Sequence, residues 1–150
     1  MDRITVTFVY LLVFLSSSLG IADSHKNKGT ERQYQEYANK ELKGVVEKRL
    51  KDNTRVDIFV EGEYAIEVDF AKKWYEAIGQ ASHYSLLTKT PPAVLLIIQT
   101  DDDMKYLKRC QRVCNCMYML VDHRPFRYEV FHLDDRDGYI SRQFNKKAPK

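Results

Sequence analysis

At 150 residues the chain is one domain's worth of sequence, and it holds no internal repeat, long linker or low-complexity segment that would speak for a solenoid or a second domain. Its net charge of +3 and pI near 8.7 are mild. They permit an anionic partner such as nucleic acid without demanding one, and they set the chain apart from the heavily basic class of dedicated nucleic-acid binders.

Residues 1–22 combine Arg3 in a short leading region, an apolar run from Ile4 to Leu15, a Ser-rich patch, and Gly20 and Ala22 at the spacing a signal peptidase accepts. The pattern predicts a signal peptide cut after Ala22 and a secreted or periplasmic product. No stable membrane association is expected afterwards, because the run falls short of the ~20 residues of a spanning helix and serines interrupt it. Residues 23–30 read as a polar lead-in, 31–143 as the folded domain and 144–150 as a basic tail.

From Glu31 to Lys43 the composition favours a helix, with Tyr34, Tyr37, Ala38 and Leu42 at helical spacing and Gly44 as a stop. Val45 to Leu50, the turn "KDNT" and "RVDIFV" read as a hairpin. After the turn "EGE", "YAIEVDF" alternates, sending Tyr64, Ile66 and Val68 one way and Ala65, Glu67 and Asp69 the other. Ala71 to Leu87 is helical, with Trp74, Ala77, Ile78, Ala81 and Ser85 on a stripe that packs on a sheet. "PPAVLLIIQT" reads as a strand covered on both faces, "DDDMKYLKRCQRV" as a helix, and "CMYMLVD" and "YEVFHL" as strands. The fold class is α/β, a mixed sheet flanked by helices in the order αβββαβαβ, with room for one more strand. Export would let two of Cys110, Cys114 and Cys116 pair in a local disulfide, leaving the third as a buried thiol.

Chemistry gathers around the third strand. Glu67 and Asp69 project from one face, about 6.5–7 Å apart along the strand, and Asp57 joins them if Val56, Ile58 and Val60 enter the core. Three carboxylates in one place repel unless a cation neutralises them, and hard oxygen donors suit Mg²⁺ or Mn²⁺. In the following helix Lys73, Gln80 and Tyr84 share a face at i, i+7 and i+11, giving a cation and neutral hydrogen-bonding groups for a phosphate held around the ion. His83 and His123 are given no catalytic role.

Asp57 in one strand, "Glu67-Val-Asp69" in the next and "Gln80-Ala-Ser-His-Tyr84" in the helix resemble the PD-(D/E)xK nuclease superfamily, in particular its exonuclease-like branch with a Gln-x-x-x-Tyr motif. The resemblance covers roughly residues 31 to 100 and implies a restriction-endonuclease-like core and a metal-dependent nuclease with nucleic acid as substrate. It implies Asp57 and Glu67 holding the metal, Glu36 or Glu41 of the first helix completing or orienting the site, and Gln80 with Tyr84 lining it on the substrate side. Asp69 stands where the family carries its lysine; it could act through a second metal or a water, or Lys72 or Lys73 could reach back from the helix, and Val56 stands where the family has its proline. A catalytically silent domain of the same fold that binds nucleic acid or a protein partner is the alternative.

Overall fold

The computed structural model describes residues 28–147. The expected signal peptide and most of the lead-in lie outside these residues. Helix α1 (Glu31–Leu42) starts at Thr30, whose hydroxyl accepts from the Gln33 N–H while the Gln33 side chain accepts from the Thr30 N–H. It ends as Lys43 turns left-handed, with φ 56°. Gly44 therefore serves a purpose other than the expected helix stop. A Cβ there would sit 2.6 Å from the Phe59 carbonyl oxygen, so glycine allows the chain to enter the sheet at close quarters.

The chain then runs through β1 (Val45–Arg49), β2 (Arg55–Val60) and β3 (Tyr64–Phe70), a 3₁₀ turn at Ala71–Lys73, α2 (Trp74–Thr88) and β4 (Pro92–Ile98). A second 3₁₀ turn, Asp101–Asp103, leads into α3 (Met104–Asn115), β5 (Tyr118–Val121), β6 (Arg124–Arg127), β7 (Glu129–Asp134) and α4 (Tyr139–Lys147). Five strands form one mixed sheet in the order β1-β2-β3-β4-β7, antiparallel across β1-β2-β3 and parallel across β3-β4-β7. The protein is thus α/β, with helices on both faces of the sheet.

All seven residues of β4 are buried, as its uninterrupted apolar run requires of a central strand covered on both sides. On one face Tyr34 of α1 and Ile140 of α4 pack on Ile58, Ile66, Val68 and Leu95. On the other, Ala77 and Ala81 of α2 and Leu107 of α3 pack on Val94 and Leu96. A buried polar knot ties α1 to α4: Tyr34 Oη donates to Asp135 Oδ2 at 2.7 Å, Gln99 Nε2 donates to Tyr34 Oη at 3.1 Å, and Ser141 Oγ donates to the same Asp135 oxygen.

Three expectations change here. "CMYMLVD" does contain a strand, but β5 pairs only with β6 in a separate two-stranded hairpin, and it is β7, overlapping "YEVFHL" and ending at Asp134, that extends the main sheet. α4 runs through the boundary placed at residue 143, and Phe144 packs edge-on against Tyr34 and Tyr37. The three thiols are free. Cys110 and Cys114 are buried one helical turn apart with their sulfurs 3.9 Å from each other, and the third, Cys116, is exposed rather than buried.

Candidate active site

The β2-β3 ladder pairs Val60 with Tyr64, Phe59 with Ala65 and Ile58 with Ile66. One step further stand Asp57 and Glu67, and there a side chain takes over from the backbone: the Val68 N–H donates to Asp57 Oδ2 at 2.8 Å. Strand alternation fixes where these groups aim. Ile58, Ile66 and Val68 go to the α1 side, whereas Phe59 and Ala65 cluster with Tyr84 of α2, so Asp57, Glu67 and Asp69 project toward α2. α2 and its neighbours close over them, leaving Asp57, Glu67 and Asp69 only 7%, 5% and 3% exposed.

Burial without a counter-charge decides the protonation. Glu67 is pushed up to about 9 by desolvation first and by the Asp57 charge second. Asp57 rises to about 6, desolvation outweighing the Val68 N–H that holds it down. The two groups titrate as a pair and share a proton near neutrality. Tyr84 lies over them: burial, then the Glu67 and Asp57 charges, raise its phenol, and its Oη donates to Gln80 Oε1 at 3.3 Å. Gln80 itself is exposed at the rim. Glu67 Oε2 is buried with no hydrogen-bond partner of its own, although the Asp57 carboxyl and the Tyr84 phenol both interact with the Glu67 carboxyl. The one other such oxygen among the described residues, Oε1 of Gln35, lies one helical turn from Glu31 on α1.

Asp69 is handled differently. Its Oδ1 accepts the Phe70 N–H at 2.7 Å and faces Lys73 Nζ at 3.5 Å. Desolvation raises its pKa against the pull of that N–H and that ammonium, and the Asp69 charge in turn raises Lys73. Lys72 is exposed. From the first turn of α1, Glu31 joins the group, its carboxyl raised by burial and then by the Asp69 charge.

The structure therefore brings together Asp57, Glu67, Asp69, Lys73, Gln80 and Tyr84, and it corrects the contribution of the first helix. Glu36 is exposed and bound to Arg32 at 2.7 Å, and Glu41 is exposed; Glu31 is the acid that senses the site. Its signal in the sequence is its place at the very start of the helix, where a side chain can overhang the strand ends. His83 pairs with Asp52 at 2.6 Å, away from the carboxylates, and His123 sits in the turn of the β5-β6 hairpin.

Among the described residues no three His, Cys, Asp or Glu side chains form a ready-made metal cluster. Of the three expected ligands, Asp69 is engaged by the Phe70 N–H and Lys73, and Asp57 and Glu67 lie beside each other without a counter-charge. Two carboxylates fit Mg²⁺, which keeps most of its waters and takes one or two protein oxygens together with substrate phosphate. No family model, curated protein or solved structure matches the chain. The chemistry of these side chains is what bears on function.

Proposed function

We propose that this protein is an exported, metal-dependent nuclease that hydrolyses phosphodiester bonds of nucleic acid on a restriction-endonuclease-like core. The observation that carries the reading is Glu67 Oε2, buried and without a hydrogen-bond partner, directly beside the buried Asp57 carboxyl. A chain that leaves such an oxygen unsatisfied loses stability unless something else fills it, and a cation that displaces the shared proton does so.

Asp57 and Glu67 would hold Mg²⁺ or Mn²⁺, which supplies Lewis acidity at a phosphoryl oxygen and eases deprotonation of the attacking water. Lys73 offers an ammonium at the mouth of the site, placed by Asp69 to meet phosphate charge that grows in the transition state. Asp69 thus acts through Lys73 as a positioning residue. Tyr84 keeps its proton at working pH and, with Gln80, presents neutral hydrogen-bonding groups on the side open to substrate. Glu31 adds negative charge behind Lys73 and the carboxylates.

Incubation of the full chain with plasmid and with single-stranded DNA in Mg²⁺ or Mn²⁺ tests this. Cleavage that stops with chelator and falls by at least about a hundredfold in Glu67→Gln, the scale expected when a group holding the catalytic ion is neutralised, supports it. Asp69 in the place of the family's lysine favours a second reading, a silent domain that only binds. Wild-type protein inert with either metal and either substrate leaves that reading standing.

A further inference from the structure

α3 carries its charge on one side. Its buried seam is Leu107, Cys110 and Cys114, and on the opposite flank Lys105, Lys108, Arg109 and Arg112 recur at i, i+3, i+4 and i+7, all exposed. The β5-β6 hairpin adds exposed Arg124 and Arg127. Residues 104–127 hold these six cations against one carboxylate, Asp122, a local net charge of +5 in a chain of +3. Asp122 is already paired with Lys89 at 2.5 Å, and none of the six cations is in an ion pair among the described residues. Such a concentration of unneutralised charge is the footprint of a polyanion.

The hairpin supplies a second kind of contact. Tyr118 is 66% exposed and stands opposite Arg127 in the ladder. The two line a cleft of about 290 Å³ where the end of α3 meets the hairpin. Cations in a line beside an exposed ring are how proteins hold single strands, whose bases are free to stack. An anionic membrane is the poorer match: a helix that lies on lipid needs its apolar face outward, and the apolar seam of α3 is in the core. α3 also packs against the 3₁₀ turn carrying Lys73 and against α2, the two elements that border the carboxylates.

We propose that the basic stripe of α3 and the β5-β6 hairpin form a platform for single-stranded nucleic acid, with the cations tracking its phosphates and Tyr118 stacking on a base. The inference rests on the nuclease reading only for what happens to the bound strand. Fluorescence anisotropy of the full chain with a labelled oligothymidylate of about 20 nucleotides, in chelator so that nothing is cut, tests the binding. The triple variant Lys108→Gln, Arg109→Gln, Arg112→Gln, with circular dichroism confirming its fold, is expected to bind at least about tenfold more weakly and to flatten the slope of log affinity against log salt by about 2. Tyr118→Ala is expected to weaken binding by about tenfold with the salt slope unchanged. Unchanged affinity in the triple variant overturns the proposal, as does tighter binding of the duplex than of the single strand, or binding to phosphatidylserine vesicles alone. Binding by the wild type without cleavage in Mg²⁺ or Mn²⁺ overturns the nuclease reading and leaves the platform intact.

Discussion

A carboxyl group buried beside another carboxyl keeps its proton to unusually high pH, and Glu67 carries the consequence for stability. Its folded pKa of about 9 and that of Asp57 near 6 both lie above the ordinary values, so between these limits the native state binds more protons than the unfolded one. Stability is then complete below about pH 4 and is lost as pH rises through the folded values, by up to about 1.4 kcal/mol per pH unit for each proton held. In chelator the melting temperature is expected to fall from about pH 5 to about pH 9, and Glu67→Gln, which has no proton to lose, to melt above the wild type at the alkaline end only. A parallel pH profile for the two proteins would show that Glu67 is ordinary. Lys73→Met is expected to lower kcat by about ten- to a hundredfold, the scale for loss of one charged group acting on the transition state; Asp69→Asn is expected to lower it less and to shift the acidic limb of the pH profile, since it frees Lys73 rather than removing it. Equal losses in both would place Asp69 itself on the metal or water. Period-two alternation made Asp57, Glu67 and Asp69 legible from sequence, since parity alone puts them on one face. Glu31 was only partly legible: its place at the helix start could be counted from the sequence, but which end of the helix overhangs the sheet is set by tertiary packing.

Among the elements, those with strong periodicity and clear punctuation were readable, and those held by distant contacts were not. α1, α2, α3 and β1 to β4 announce themselves through apolar spacing and turn residues. β5 was readable as a strand, but its partner was not: β6 is four residues long with Pro125 inside it, and the pair is not hydrogen-bonded to the main sheet. α4 reads as polar and basic, and its few anchors, Ile140 and Phe144, have meaning only against Tyr34 and Tyr37 of α1. The disulfide expectation failed for a local reason: helix geometry turns Cys110 and Cys114 into the core side by side, where they pack as small apolar groups. The joint between α1 and β1 gives a test at this scale. Asn39 clamps Gly44 from both sides, its Nδ2 donating to the Gly44 carbonyl at 3.0 Å and its Oδ1 accepting the Gly44 N–H at 2.8 Å, while the Phe59 backbone leaves no room for a Cβ. Gly44→Ala is expected to cost about 1–3 kcal/mol, as overpacking against backbone does, measured by urea unfolding. A neutral result would mean that β1 can move off β2 freely.

Across the whole molecule, the buried carboxyl pair couples proton binding to the fold, and on the proposed function it would couple both to a cation. Burial side by side raises both Asp57 and Glu67, so the pair holds a proton near neutrality and loses it as pH rises. On the proposed nuclease reading, a divalent ion would supply the missing positive charge to the native state and find no such paired site in the unfolded chain, stabilising by RT ln(1 + [L]/Kd), about 2.7 kcal/mol at a hundredfold excess over Kd. For a chain of this size that corresponds to a rise in melting temperature on the order of 10 °C. Because the ion must displace the proton, the rise is expected to be large at about pH 8 and to vanish near pH 5, the reverse of the apo protein's own pH preference. Asp57→Asn and Glu67→Gln remove charge from the site while nearly preserving its volume, and each is expected to abolish the metal-induced rise. Arg124→Gln, on the hairpin, should leave it unchanged. Differential scanning calorimetry at the two pH values, with MgCl₂ or with chelator, reads all of these outcomes. An equal rise in wild type and in both carboxylate variants would place any bound cation elsewhere on the chain and remove the physical basis for a metal at Asp57 and Glu67.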